Sequence, residues 1–434
     1  MAHRMGIRLR GNNSEVLQSY FYDGESFLMT TTTTQALPLS GITVIDCGQV
    51  IAGPTIAMIL GDFGAEVIKV ENPQGGDQGR YFGRSKNGVS LNWKQLSRNK
   101  KTITLSLSKP AGQDLFCKLL KTTQADVLIE SFRAGTFEKW NLGYDKLREL
   151  SPGLTMVRVS GFGQTGPYKD RPGFGTLAEA MSGFAHITGQ ADGPPTLPPL
   201  PLADSVSALY ATIGVMLSLY QRDANKSGRG QSIDVSLLES LYTMLSGHAI
   251  AYDQLGLPGK RTGNRTSGSA PRNAYPTKDG RWVAIAGSTQ ALTERLFKEM
   301  GRTDLIADPR FKSNRDRLAN VEALDDIVGA WVLERTQAEC IAQLVKADVA
   351  VAPVSDFKDL AEDPHLVSRK VLTTIDDPEL GALRMPRVLP QLSDTPGRID
   401  YAGLPMGSHN DEIYRERLGL KDAELQALKA EGII

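Results

Sequence analysis

From Gly41 onward, short apolar runs alternate with stretches in which apolar residues recur every three or four positions. Ile42 to Ile45 is such a run, Pro54 to Phe63 has helical spacing, and Glu66-Val-Ile-Lys-Val-Glu71 is a second run. The pattern predicts strand, helix, strand. It repeats as Thr102 to Leu107, a helix opening at Pro110 with Leu115, Phe116, Leu119 and Leu120 on one face, and Asp126 to Glu130. An amphipathic segment near Lys139 to Leu150 then precedes Thr155 to Ser160. Such alternation predicts an α/β fold: a large Rossmann-like domain whose mostly parallel sheet carries helices on both faces and receives ligands beyond the carboxyl ends of its strands.

A second block follows, with a helix over Leu177 to Ile187, a proline-rich extended stretch over Pro194 to Pro201, a long helix over Ser205 to Gln221 and a strand over Ser232 to Val235. Beyond Gly256 the pattern changes. Tyr275 to Ala286 reads as a hairpin turning at Asp279-Gly280, and helices continue to Leu344, which predicts a smaller α+β domain. The expected organisation is a flexible extension over 1–37, the first part of the large domain over 38–255, the small domain over 256–345, and a return to the large domain with C-terminal helices over 346–434. Short strands are expected in that return at Val349 to Val354, Val371 to Ile375 and Leu383 to Arg387.

The extension has a basic start (Arg4, Arg8, Arg10), then acids (Glu15, Asp23, Glu25) and a threonine run. It lacks the apolar stretch of a secretory signal, and its acids oppose a mitochondrial transit reading. Every pattern used above begins after Met29. No run of about 18 apolar residues suggests a membrane span.

Lysine plus arginine number 49 and aspartate plus glutamate 49, so no net field draws the chain to nucleic acid or an anionic membrane, and any anion site must be local. The cysteines, Cys47, Cys117 and Cys340, are few and widely spaced; they oppose a disulfide framework and suit a reducing, cytoplasmic setting. No CxxC or HExxH occurs, so no metal site is expected.

Gly161-Phe-Gly-Gln-Thr-Gly166 matches the dinucleotide fingerprint after a strand, but Pro167 and Pro172-Gly173 deny it the helix that the fingerprint requires. Asp204, between an extended run and a long helix, reads either as an N-cap or as a nucleophile kept ionised by the helix dipole. Arg98-Asn-Lys-Lys101, with Arg133 and Lys139 after the strand ending at Glu130, reads either as solvated loop ends or as a cationic pocket for phosphates. Lys69 reads as a sheet residue whose ammonium snorkels to solvent. Arg261 to Ala270, rich in small residues, is either a linker or a mobile lid. His186 and His248 occupy apolar helical contexts and read as packed histidines.

Taken in order, Leu39-Ser-Gly-Ile-Thr-Val-Ile-Asp46, Ala52-Gly-Pro54, Leu60 to Glu71 and Asn99-Lys-Lys, then Gly161 to Pro167, Ser182-Gly183, Ala203-Asp204 and Gly228-Arg-Gly-Gln231, make the chain from Leu37 to Leu420 resemble the class III CoA-transferases. The resemblance implies exchange of CoA between an acyl-CoA thioester and a small carboxylic acid, with Asp204 as the covalent nucleophile, CoA as a passing substrate and no permanently bound cofactor. Succinyl-CoA and a dicarboxylate are the implied pair. It further implies CoA contacts from Asn99, Lys100, Leu105, Ser108, Phe132, Arg133, Thr136 and Lys139, a lid around Thr266 to Ala270, and an interlocked homodimer.

Two departures stand out. Phe174-Gly175 replaces the aromatic–acid pair of many members and the histidine–aspartate pair of the racemase branch, which opposes α-proton chemistry. Glu179, about one helical turn on, reads as a helix-surface residue, with electrostatic substitution for the missing acid as the alternative. Ile51 stands where formyl-CoA transferase has glutamine, which opposes oxalate and formate as substrates. The rival readings are an acyl-CoA racemase or isomerase and a non-catalytic CoA-binding relative.

Overall fold

The computed structural model describes residues 17–22, 25–30 and 36–434. Within the N-terminal extension, Leu17–Tyr22 and Glu25–Thr30 pair as an antiparallel hairpin; the rest of that stretch before residue 36 lies outside the described residues. The large sheet comprises β1 (Thr43–Cys47), β2 (Glu66–Glu71), β3 (Lys100–Thr104), β4 (Val127–Glu130), β5 (Thr155–Ser160) and β6 (Ser232–Ser236). Its order is β3-β2-β1-β4-β5-β6 and every neighbouring pair is parallel. This is the doubly wound Rossmann order, which reverses direction between β1 and β4 and opens a crevice there at the carboxyl ends.

Helices α1 (Ala52–Asp62), α2 (Pro110–Thr123), α3 (Tyr144–Leu150), α4 (Gly175–Met181), α5 (Leu202–Asp223), α6 (Leu237–Met244) and α7 (Ser246–Leu255) accompany the sheet. Two cores result. On one face Ile45, Ile68, Ile103 and Leu128 pack with Phe116 and Leu119 of α2; on the other Val44, Val67, Ile129 and Val157 pack with Ile56 and Leu60 of α1 and Ala208 and Val215 of α5. The alternation of the strands thus divides between two helical layers.

Several expected boundaries move. β3 starts at Lys100, so the charged run enters the strand and Leu105 to Ser108 becomes a loop. The helix expected over 177–187 is two pieces, because Gly183 takes φ +93 between Met181 and Phe184. The hairpin turning at Gly280 forms as β7 (Arg272–Pro276) and β8 (Trp282–Ala286), and β9 (Val351–Pro353) joins β8 as a third antiparallel strand from beyond residue 345. Leu372–Asp377 and Gly381–Pro386 form a further hairpin.

The returning chain covers the edge strand β3. Its amides at Thr102 and Thr104 donate to His409 Nδ1 (3.1 Å) and Asn410 Oδ1 (2.9 Å), and Tyr414 donates to Thr104 O at 2.6 Å. A sheet edge that would otherwise recruit another strand is closed by side chains.

Helix α5 corrects the reading that nothing is long and apolar enough to cross a bilayer: an 18-residue window reaches a mean hydropathy of 1.5. Here Ala203, Ala208, Ala211, Val215 and Leu219 of that helix pack into the core, while Leu209, Ile213, Leu217 and Tyr220 are exposed.

Candidate active site

Two loops leave the sheet at the reversal point, 48–51 after β1 and 131–135 after β4. Gln49 N donates to Ser131 Oγ at 2.7 Å and joins them. The first loop turns tightly: a side-chain carbon on Gly48 would lie 2.7 Å from Gly53 Cα, and Val50 adopts φ +64, which a β-branched residue holds only under constraint. The constraint is a buried ion cluster. Asp77 Oδ1 accepts the Val50 amide at 2.9 Å, Asp77 Oδ2 pairs with Lys69 at 2.7 Å, Lys69 donates to Gly48 O, and Asp46 Oδ1 accepts the Gly48 amide at 2.9 Å.

Lys100 completes this cluster, donating to Asp46 Oδ2 at 2.9 Å and Pro54 O at 2.7 Å from a fully buried position. Burial works against both ammonium groups. It wins at Lys100, whose pKa falls; at Lys69 the carboxylates of Asp46, Asp77 and Glu71 prevail and the pKa rises. Lys69 therefore does not snorkel, and Lys100 has no free face for a phosphate. Asn99 precedes β3 at the opposite end of the sheet, where its amide donates to Asp62 Oδ1 (3.0 Å) and Arg398 O (2.9 Å). The structure does not bring Asn99 and Lys100 to the crevice.

Two cavities flank the joined loops. The smaller, about 260 Å³, is lined by Leu105, Ser108, Phe132 and Trp140 together with Cys47 and Asn72. The larger, about 560 Å³, holds Asp204 and is walled by the β1 and β4 loops, the 160–176 segment and Pro198 to Pro201. Gln49 and Phe132 belong to both. Of the residues expected to contact CoA, Leu105, Ser108, Phe132 and Arg133 come together here. Thr136 and Lys139 lie just beyond, in the short helix Thr136–Lys139, outside both walls.

The β4 loop is held from beneath. Glu130 Oε2 accepts the Phe132 amide at 2.7 Å, Glu130 Oε1 pairs with Arg158 at 2.9 Å, and Arg158 reaches Glu138 at 2.7 Å. Burial pushes the Glu130 carboxyl up to about 7 against the pull of Arg158. Phe132 packs against Phe137 and Trp140, with centroids 5.7 and 5.0 Å away. Arg133 and Lys139 are exposed and make no ion pair among the described residues.

Asp204 is the third residue of α5, whose cap position is Pro201, so the N-cap reading does not hold. Among the described residues, no side chain donates a hydrogen bond to its carboxylate. A side-chain carbon on Gly175 would lie 2.0 Å from Asp204 Oδ2, so the carboxylate occupies the space that any other residue at 175 would fill. Burial, and then the nearby Glu179 carboxylate, push Asp204 up to about 6. The dipole-stabilised anion expected from position alone is thus overridden, although the ionised form still dominates at neutral pH.

Glu179 is only 3% exposed and lines the same cavity, where its Oε1 accepts the Ala203 amide at 3.2 Å. It is not a helix-surface residue. Its burial follows from the crossing of α4 on α5, a tertiary contact that local periodicity does not register.

The glycine-rich loop after β5 has a packing explanation: carbons added at Gly161 and Gly173 would each come within 2.8 Å of the other's Cα, so two backbone segments cross there. The 266–270 segment does not line the larger cavity. His186 and His248 are exposed rather than packed.

A doubly wound sheet with a cavity at its reversal point, lined by the carboxylates of Asp204 and Glu179, is the architecture of an α/β protein that binds its ligand beyond the carboxyl ends of the strands. Residues 39–410 match the family model of CoA-transferase family III, and the chain belongs to that family. It is 40% identical to the succinyl-CoA–D-citramalate CoA-transferase of Chloroflexus aurantiacus, over 92% of this chain and 98% of that one. It is 31% identical to the succinyl-CoA:glutarate CoA-transferase of Mus musculus, over 92% and 90% of the respective chains. Among solved structures, a CAIB/BAIF family protein from Brucella suis superposes with a TM-score of 0.77 at 30% identity, covering 88% of this chain and all of that one. The protein is a class III CoA-transferase that takes acyl-CoA and a carboxylic acid as substrates.

Proposed function

We propose that this enzyme moves CoA from succinyl-CoA to a small dicarboxylic acid through a covalent intermediate on Asp204. The observation that carries the reading is the Asp204 carboxylate itself, free of side-chain partners among the described residues and held against Gly175 in a cavity that opens beside the Phe132 loop. Both relatives named above are succinyl-CoA transferases whose acceptors are dicarboxylic acids.

An Asp204 oxygen attacks the thioester carbonyl, the carbon–sulfur bond breaks, and CoA leaves as the thiolate with an acyl–aspartyl anhydride behind it. The thiolate then attacks the aspartyl carbonyl, releasing the donor acid and leaving an aspartyl-CoA thioester. The acceptor carboxylate attacks that carbonyl to form a second anhydride, and the thiolate, attacking its acyl carbon, carries the acceptor away as acyl-CoA and restores Asp204. Because each leaving group is a thiolate or carboxylate, no proton donor is required. Leu105, Ser108 and Phe132 hold CoA along the smaller cavity, with Arg133 and the exposed Lys139 meeting its phosphates and Thr136 closing that side.

The working form is a homodimer. Helix α7 buries none of its residues in the isolated chain, and with the outer faces of α5 and α6 it presents Leu217, Tyr220, Met244, Ile250, Tyr252 and Leu255 to solvent. A surface this apolar matches an obligate protein interface.

The deciding experiment is incubation with succinyl-CoA, borohydride reduction or hydroxylamine trapping, and peptide mass spectrometry. Label is expected on the peptide containing Asp204, and Asp204→Ala should lose transfer by at least about 10³-fold while still binding CoA. Retained turnover in that variant refutes the mechanism.

A further inference from the structure

We propose that Glu179 is a positioning residue that keeps Asp204 reactive, by bracing the first turn of α5 through the Ala203 amide and by placing a second carboxylate beside the nucleophile inside one cavity. The inference rests on Asp204 being the nucleophile. Three observations meet at this point: Glu179 is buried, its Oε1 accepts the Ala203 amide at 3.2 Å one residue before Asp204, and the space at Gly175 is open to both carboxylates. A carbon placed on Gly175 would be 2.0 Å from Asp204 Oδ2 and 3.8 Å from Glu179 Oε1, so position 175 puts no side chain between the two acids.

The chemistry gives this pairing a direction. Before attack, the cavity holds two carboxylates, and their repulsion raises the free energy of the Asp204 anion. As the oxygen–carbon bond forms and the carbon–sulfur bond breaks, the charge leaves Asp204 and departs on the CoA thiolate. The repulsion is relieved along the reaction coordinate, so Glu179 destabilises the resting anion more than the acylated state. It acts through Asp204 and forms no bond to substrate. The other charges facing the cavity are Lys169 and Arg171 from the 160–176 segment and Arg133 from the β4 loop, with Glu239 exposed near the start of α6; α1 contributes no charge to this wall. Among the described residues, Glu179 is therefore the only acid besides Asp204 in the cavity lining, and it is the neighbour whose charge raises the Asp204 pKa.

The test is Glu179→Gln, which keeps an oxygen to accept the Ala203 amide and removes only the charge. Single-turnover acylation by succinyl-CoA is followed from about pH 3.5 to 8. In the unaltered enzyme the acid limb should fall near the Asp204 value of about 6. An acid is silenced as pH drops through its pKa, so in the variant the limb should move down by roughly 0.5–1 pH unit while the plateau falls about 3- to 10-fold. A merely structural role would lower the rate without moving the limb. An unmoved limb overturns the inference, whatever the plateau does. So does an acid limb near 4 in the unaltered enzyme, a result that does not depend on the variant folding. Trapping in the unaltered enzyme separates the two ideas. Label on Asp204 with an unmoved limb removes the role of Glu179 alone, whereas label elsewhere removes the nucleophile assignment as well.

Discussion

The Asp204 carboxylate leaves position 175 no room for a side chain, and the glycine that looked like a defect against the family pattern is a fitted one. With a carbon there only 2.0 Å from Asp204 Oδ2, Gly175→Ala must push the carboxylate aside. A displacement of about 1 Å at a reacting atom costs on the order of 100-fold. Turnover of that variant should fall by at least that factor, with the dissociation constant for CoA within about threefold of the parent, as measured by steady-state kinetics and calorimetry. Asp204 was legible as a candidate because a proline-rich run and a long apolar helix meet at it. Glu179 was not, because nothing in its local spacing says that α4 will turn it inward. The lysines failed for the complementary reason: Lys69 and Lys100 look like exposed cations until Asp46 and Asp77, each from a different segment, close around them.

At the scale of elements, the strand–helix alternation foretold five of the six parallel strands to within two residues at most of their ends; β3 was displaced further, because a run of charges reads as a loop and here enters the sheet. The glycine pattern after β5 was rightly separated from a dinucleotide fingerprint, but its cause, two backbones crossing at Gly161 and Gly173, depends on a contact that no window of sequence contains. The β4 loop offers a clean test. Glu130 ties down both the Phe132 amide and Arg158, so Glu130→Ala frees the loop from its support. The loss of two charge-assisted bonds, partly replaced by water, corresponds to about 1–2 kcal/mol of binding. KM for acyl-CoA should rise roughly 5- to 30-fold, with kcat changed less than about threefold, in initial-rate measurements at pH 7.5. An equal fall in kcat would show that the loop shapes the reacting end instead.

For the whole molecule, one long helix serves two environments. The inner stripe of α5 packs in the core and its first turn carries Asp204, while its outer stripe leaves apolar side chains in solvent, with Ile213 55% and Leu217 64% exposed. Charge on that outer stripe is compatible with the fold of one chain and incompatible with an apolar interface. Leu217→Glu combined with Ile213→Glu should convert the proposed dimer to monomer in sedimentation velocity, or strip soluble dimer from the preparation; an unchanged dimer mass would place the interface elsewhere. Periodicity recorded that helix well but not its outer face, since an apolar residue reads alike whether its cover comes from the same chain or another.

The partition formed by Gln49 and Phe132 has a temporal consequence. On the proposed mechanism, a carrier lodged in the narrower chamber stays moored by its nucleotide half while only its sulfur-bearing tip works in the wider one. The departing acid and its replacement must then use the same berth in succession, never together. Rate plots against one substrate at several fixed levels of the other would run as parallel lines, and the traffic of acids through this enzyme would be single file.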